Sequence, residues 1–288
     1  MADIEASQVV KLRQITGQGM MDCKKALAES GGDMDKAVEI LRKKGLATLA
    51  KRAERETKEG LVVSKISPDG KTAALATLCC ETDFVSRSGD FVKAAEILAE
   101  CALVCPADEG IDNLLATEVN GKKFSDIVTE IVSKTGEKTQ VGDFTKYKLT
   151  GPGLITIYVH FNKKVGTMVQ IDTDTDTTAQ AEPIKRIAAD IAMHITATKP
   201  LALDEKGISA KTIEQEKSIA AAQITGKPAN IVEKIVEGKM KKFFAENCLL
   251  LQPFVKDNTK TVQQVLAEAA KQANGQACIK RFVRFEVG

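Results

Sequence analysis

A chain of 288 residues with 43% hydrophobic content can bury a real core and has room for two or three modules, so a disordered protein is excluded. Its 41 Lys and Arg against 39 Asp and Glu leave a net charge of +2, so global charge supports neither a strong DNA or RNA binder nor a membrane-surface protein. Seven cysteines, at Cys23, Cys79, Cys80, Cys101, Cys105, Cys248 and Cys278, match neither a disulfide framework nor zinc spacing, and there is no signal-peptide pattern or uncharged span of roughly 18 residues; a cytoplasmic protein is expected.

Residues 5 to 45 carry three short helical patterns, Ser7 to Ile15, Met20 to Ser30 and Asp33 to Lys44. Gly17-Gln18-Gly19 separates the first two, Gly31-Gly32 ends the second, Asp33 suits the N-cap of the third and Gly45 its C-terminal cap. Val9, Leu12, Ile15, Ala26, Leu27, Ala37, Val38 and Leu41 are the expected small core. Met20 and Met21, at the start of the second helix, are either core filler or a docking surface. From Arg42 to Lys58 seven basic residues read as a charged helical linker. Without interleaved aromatics for base stacking, a solvated face is the better reading than a phosphate grip.

Leu61 to Ile66, Ser67-Pro68-Asp69-Gly70 and Thr72 to Cys80 spell a β-hairpin. Gly70-Lys71-Thr72 imitates the end of a phosphate-binding loop, but Lys65 stands where its first glycine is needed, so no nucleotide site is expected there. Next comes Thr82-Asp83-Phe84-Val85, on a short loop between the second strand and a helix entered near Gly89. From spacing alone the favoured reading has Phe84 folding back to cap a local core; the sharper one aims ring and charge at a partner.

Phe91 to Cys105 makes a core-facing helix stopped by Pro106, and Lys122 to Lys134 a second helix. Gly142 to Thr150 leads to a second hairpin, Leu154 to Phe161 and Val165 to Asp172, turned by Asn162-Lys163-Lys164. Pro183 opens a helix to Thr198. On it His194 reads as a satisfied structural residue, and His160 has no nearby partner for catalysis. Ser209 to Thr225, Gly226-Lys227-Pro228 and Ala229 to Glu246 form an αα-hairpin with a narrow seam of Ile213, Ala220, Ile224, Ile231, Ile235 and Val236, suited to a projecting finger. A helix from Val262 to Gln272 and a strand from Cys278 to Val287 close the chain.

Taken together, Thr16 to Leu27 (Thr-Gly-Gln-Gly-Met-Met-Asp-Cys-Lys-Lys-Ala-Leu), Glu81-Thr82-Asp83-Phe84-Val85, Ile191-Ala192-Met193-His194-Ile195, Glu237 to Phe243 and Gln252-Pro253-Phe254-Val255 closely resemble the bacterial elongation factor Ts family, in order and over nearly the whole chain. The resemblance implies an α+β fold: a ubiquitin-associated-like three-helix domain (1–45), a basic helical linker (46–60), a core of two subdomains with antiparallel sheets (61–150, and 151–198 with 247–288) and a coiled-coil helical hairpin (199–246).

It also implies a guanine-nucleotide exchange factor that does no bond chemistry. The partner is elongation factor Tu, GDP-bound or nucleotide-free, with no cofactor, no metal and no direct nucleotide binding by this chain. Thr82, Asp83, Phe84 and Val85 would form the loop that disturbs the partner's magnesium site, while Arg13, Met20 and Met21 touch its nucleotide domain and His160 faces a more distant domain. With the family in view, the odds on Phe84 turn toward the probe. Some members continue past the Arg-Phe-Glu-Val-Gly phrase ending at Gly288 into a further helical module, whose contacts are not carried over. The rival classes are an RNA- or ribosome-associated protein using residues 42–58, and an enzyme, which two separated histidines and unpaired cysteines do not equip. A homodimer through the finger stays open.

Overall fold

The computed structural model describes residues 4–224 and 228–288. Three helices come first: α1 (Ala6–Thr16), α2 (Met20–Glu29) and α3 (Met34–Lys51). Gly17, in the left-handed conformation, closes α1 by donating its N–H to the Arg13 carbonyl, and the Asp33 carboxylate caps α3 by accepting from the Lys36 N–H. Val9, Leu12, Cys23, Ala26, Leu27, Ala37 and Leu41 fill the space between the helices. Two residues expected in that core are outside it: Ile15 is 62% exposed and Val38 37%.

A second correction concerns Gly45, which does not cap α3. The helix continues through it to Lys51, into the stretch expected to be linker. Gly45 is buried where α3 crosses a later helix, and a Cβ there would stand 2.6 Å from the Thr129 carbonyl oxygen. The missing side chain lets the two backbones touch.

The chain then forms β1 (Glu59–Ile66), β2 (Thr72–Cys80), the single turn α4 (Asp83–Ser86), α5 (Gly89–Val104), α6 (Ile111–Ala116), the short strands β3 (Glu118–Val119) and β4 (Lys122–Lys123), α7 (Phe124–Thr135) and β5 (Thr139–Lys148). Strands β1, β2 and β5 make an antiparallel sheet in that order. The second half comprises β6 (Gly153–Val159), β7 (Val165–Thr173), α8 (Asp176–Gln180), α9 (Glu182–Thr198), α10 (Ala210–Ala222), α11 (Ala229–Asn247), β8 (Pro253–Phe254), β9 (Asp257–Thr261), α12 (Val262–Gln272) and β10 (Ala277–Glu286). Its antiparallel sheet runs β10-β7-β6. The architecture is α+β.

The sheets stack between helices. Side chains of a strand alternate between faces, and β2 buries both: Ala74, Ala76, Leu78 and Cys80 meet α5 and α7, whereas Ala73, Leu75 and Cys79 meet the other sheet at Met168, Ile155 and Val287. That double burial explains the unbroken apolar run from Ala73 to Ala76. Beyond the second sheet, Ile184, Ile187, Ile191 and Ile195 of α9 pack with Val265 and Leu266 of α12. Helices α10 and α11 pair, with Ala220 and Met240 buried, while Ile231, expected in their seam, is 42% exposed. The expected Gly226-Lys227 turn lies outside the described residues, as does Thr225. Among the described residues no helix is long and apolar enough to cross a membrane.

Candidate partner-binding site

The segment after β2 is built to hold its first two residues still. Burial, with the nearby Glu137 charge, pushes the Cys80 thiol up to about 12, so it stays protonated and its Sγ–H donates to the Thr82 carbonyl over 3.2 Å. Glu81 accepts from the Arg52 guanidinium with both oxygens, at 2.8 and 2.7 Å, and from the Lys138 backbone N–H at 2.6 Å. Burial raises the Glu81 pKa, but the Lys138 N–H and the Arg52 charge outweigh it and hold the carboxyl below its usual range. Glu137 takes the Thr82 N–H at 3.2 Å and the Thr82 hydroxyl at 2.9 Å. The same hydroxyl oxygen accepts from the Val85 N–H at 3.4 Å and so caps α4.

A helical turn started in this way puts adjacent side chains roughly 100° apart. Val85 and Ser86 face inward and are buried, Val85 within the core beneath α5. Phe84 faces outward and is 84% exposed. The core-cap reading of Phe84 is therefore corrected, because Val85 fills the place it was given. Val85, expected among the contact residues, is 8% exposed, and its side chain anchors the turn in the core beneath α5. Asp83 lies beside Arg87 at 3.1 Å on the outer side of the turn.

The other expected contacts occupy two further patches. Arg13, Met20 and Met21 are all exposed on the three-helix head, the methionines at 40% and 65%, so neither is core filler. Ile15 and Val10 add apolar surface to that head. His160 is half-buried after β6, with Nδ1 3.0 Å from the Tyr158 hydroxyl.

Sequence reasoning missed its neighbour. Phe161 is 88% exposed and its ring centroid lies 4.4 Å from that of His160. The turn carrying it is fixed: the Lys163 N–H donates to the His160 carbonyl at 2.7 Å, and the Val62 N–H donates to the Lys163 carbonyl at 2.7 Å. Because α4 also packs on β1, both exposed rings hang from turns set along that edge strand. An aromatic immediately before the polar turn Asn162-Lys163-Lys164 was the available signal. Arg52, Glu81 and Glu137 were missed as well, since their partners are distant in sequence.

His194 is a structural residue. It is fully buried, with Nε2 2.9 Å from Gln252 Oε1 and Nδ1 accepting from the Val255 N–H at 3.3 Å. Burial lowers its pKa, and the bond to Gln252 only partly offsets this. Basic residues 42–58 are largely engaged in ion pairs: Arg42 with Asp126, Lys43 with Glu39, Lys44 with Asp22, Arg52 with Glu81 and Lys58 with Glu56. That neutralisation disfavours a phosphate-gripping strip. Among the described residues no group of three or more His, Cys, Asp or Glu could hold a metal ion.

Comparison with known proteins identifies the family. The family model described as Elongation factor TS matches residues 81–288. A protein of a Nitratiruptor species named Elongation factor Ts is 45% identical over 287 residues, covering 99% of this chain and 93% of that one. One of the same name from Methylococcus capsulatus is 45% identical, covering 99% and 92%, and one from Chlorobium phaeobacteroides is 41% identical over the full length of both chains. On these likenesses, which span nearly the whole of both chains, the chain belongs to the elongation factor Ts family of translation elongation factors.

Proposed function

We propose that the chain binds elongation factor Tu carrying GDP, promotes GDP release by disturbing the partner's magnesium and phosphate site, and leaves the nucleotide-free partner open to GTP. The observation that carries this reading is Phe84, a large apolar ring 84% exposed on a turn whose backbone is fixed by Thr82 and Glu137. A rigid exposed aromatic loses little conformational entropy when it enters a pocket, which suits it as a binding hot spot. GDP is held largely through its phosphates and the bridging Mg²⁺, so a ring and the Asp83 carboxylate intruding there weaken the clamp and raise the off-rate. No bond is made or broken by the factor, which is not an enzyme of bond chemistry. Met20, Met21 and Arg13 on the head and His160 beyond β6 would supply further contacts on the partner.

Linkage sets the cycle. Whatever free energy the factor removes from GDP binding, GDP removes from factor binding, so returning nucleotide ejects the factor. The test is stopped-flow release of a fluorescent GDP from elongation factor Tu, with buffer or with the chain at increasing concentration. Saturable acceleration is expected, and excess GDP should dissociate the complex. Release no faster than in buffer would overturn the proposal.

A further inference from the structure

We propose that Arg52 and Glu81 form a brace through which the three-helix head sets the position of Phe84; the inference rests on the reading of Phe84 as the exchange probe.

Arg52 is the first residue past α3, the long helix of the head, and Glu81 stands three residues before Phe84. A single guanidinium nitrogen, Nη1, reaches both Glu81 oxygens at 2.8 and 2.7 Å, with the Glu81 side chain 15% exposed and that of Arg52 36%. A second route converges on the same turn. Helix α7, against which Gly45 seats α3, ends just before Glu137 and Lys138, and these residues hold the Thr82 N–H and hydroxyl and the Glu81 carboxylate.

The linker itself has other attachments. Lys138 Nζ donates to the Ala53 and Arg55 carbonyls at 2.6 and 3.0 Å, and Gln140 Nε2 donates to the Thr57 hydroxyl oxygen at 3.0 Å. Removing the Arg52 guanidinium therefore leaves the linker docked and frees Glu81 from α3. The turn keeps its bonds to Glu137 and to the Lys138 N–H, and what is lost is the tie that fixes the ring relative to α3. A head seated on a partner through Met20 and Met21 would, through this brace, bring Phe84 to a fixed offset from the head. Arg52 and Glu81 act through Phe84 and are positioning residues.

The brace can be read without any partner. 4-Fluorophenylalanine placed at position 84 reports the surroundings and mobility of the ring by ¹⁹F NMR in the free chain. Arg52→Ala should shift and narrow that resonance, Glu81→Gln should move it the same way, and Arg52→Lys, which keeps the charge on a point-like donor, should fall between variant and parent. In the stopped-flow assay, Arg52→Ala should lower the maximal GDP-release rate about fivefold, in keeping with a partly exposed ion pair, with the half-saturating concentration near the parental value. Should Arg52→Ala not fold, Arg52→Lys and Glu81→Gln give the same comparison.

A Phe84 resonance unmoved in folded variants would overturn the brace, as would a parental maximal rate. If the parent itself fails to accelerate release, the exchange reading falls, while the ¹⁹F signal still decides whether Arg52 positions the ring.

Discussion

Replacing Phe84 with alanine tests function apart from folding, because the exposed ring adds little to the core and, on the proposed function, much to the exchange complex. In the free chain it is 84% exposed, so the substitution should change folding stability by less than about 0.5 kcal/mol, a shift of roughly 1–2 °C in Tm. On the proposed function the same ring becomes buried against the partner, and losing it should cost about 2 kcal/mol, or roughly thirtyfold in the rate of GDP release. Val85→Ala is the matched opposite. Its side chain is 8% exposed in the core beneath α5, so loss of two methyl groups should cost roughly 2 kcal/mol of stability. Below its melting range that variant should keep a release rate within about twofold of the parent. The assay is stopped-flow release of fluorescent GDP at saturating factor, with a thermal melt of each variant. A parental rate from folded Phe84→Ala would refute the reasoning; so would a fall of several degrees in its Tm, since that would mean the ring is packed in the free chain.

Gly45→Ala should destabilise the chain even though alanine is ordinarily better in a helix by about 1 kcal/mol, because the new Cβ would stand 2.6 Å from the Thr129 carbonyl oxygen and 2.9 Å from Ser133 Cβ. A urea titration showing a higher midpoint for the variant would contradict the close helix crossing. Phe161→Ala should raise the half-saturating concentration for exchange roughly tenfold and leave the maximal rate near parental, since the exposed ring hangs from the turn after β6 and is no part of the Phe84 turn; an unchanged titration would remove Phe161 from the interface. His194, fully buried, has its pKa lowered from about 6.5, so below that pH the unfolded chain binds a proton that the folded chain refuses. Stability should be full above about pH 6.5 and fall as the pH drops toward the lowered folded value, and His194→Gln should flatten that part of the urea-midpoint profile.

Local chemistry made much of this chain legible from its residues. The Pro-Asp-Gly turn gave the first hairpin, and α12 begins and ends at the expected Val262 and Gln272, because turns, caps and periodicity act between residues a few positions apart. The structural role of His194 was read from its being a lone histidine on a helix, while its partners Gln252 and Val255, about 60 residues away, were not legible. The motif around Phe84 marked where to look, but spacing could not say which way the ring faces. That is decided by the Thr82 cap and its hold on Glu137, 55 residues away. Gly45 was misread because a glycine ending a helix and one admitting a second helix are identical in sequence; only the arrival of α7 distinguishes them. Ile15 and Val38 lie outside because a head of about 40 residues has too little interior for every apolar side chain it carries. The sequence by itself determined the two main hairpins, the long helices, their order and the family resemblance, but left out α6, α8 and the short strands β3, β4, β8 and β9. Only the tertiary structure decided that Phe84 and Phe161 face solvent while Val85 is inside, because outward direction depends on contacts made by residues far apart along the chain.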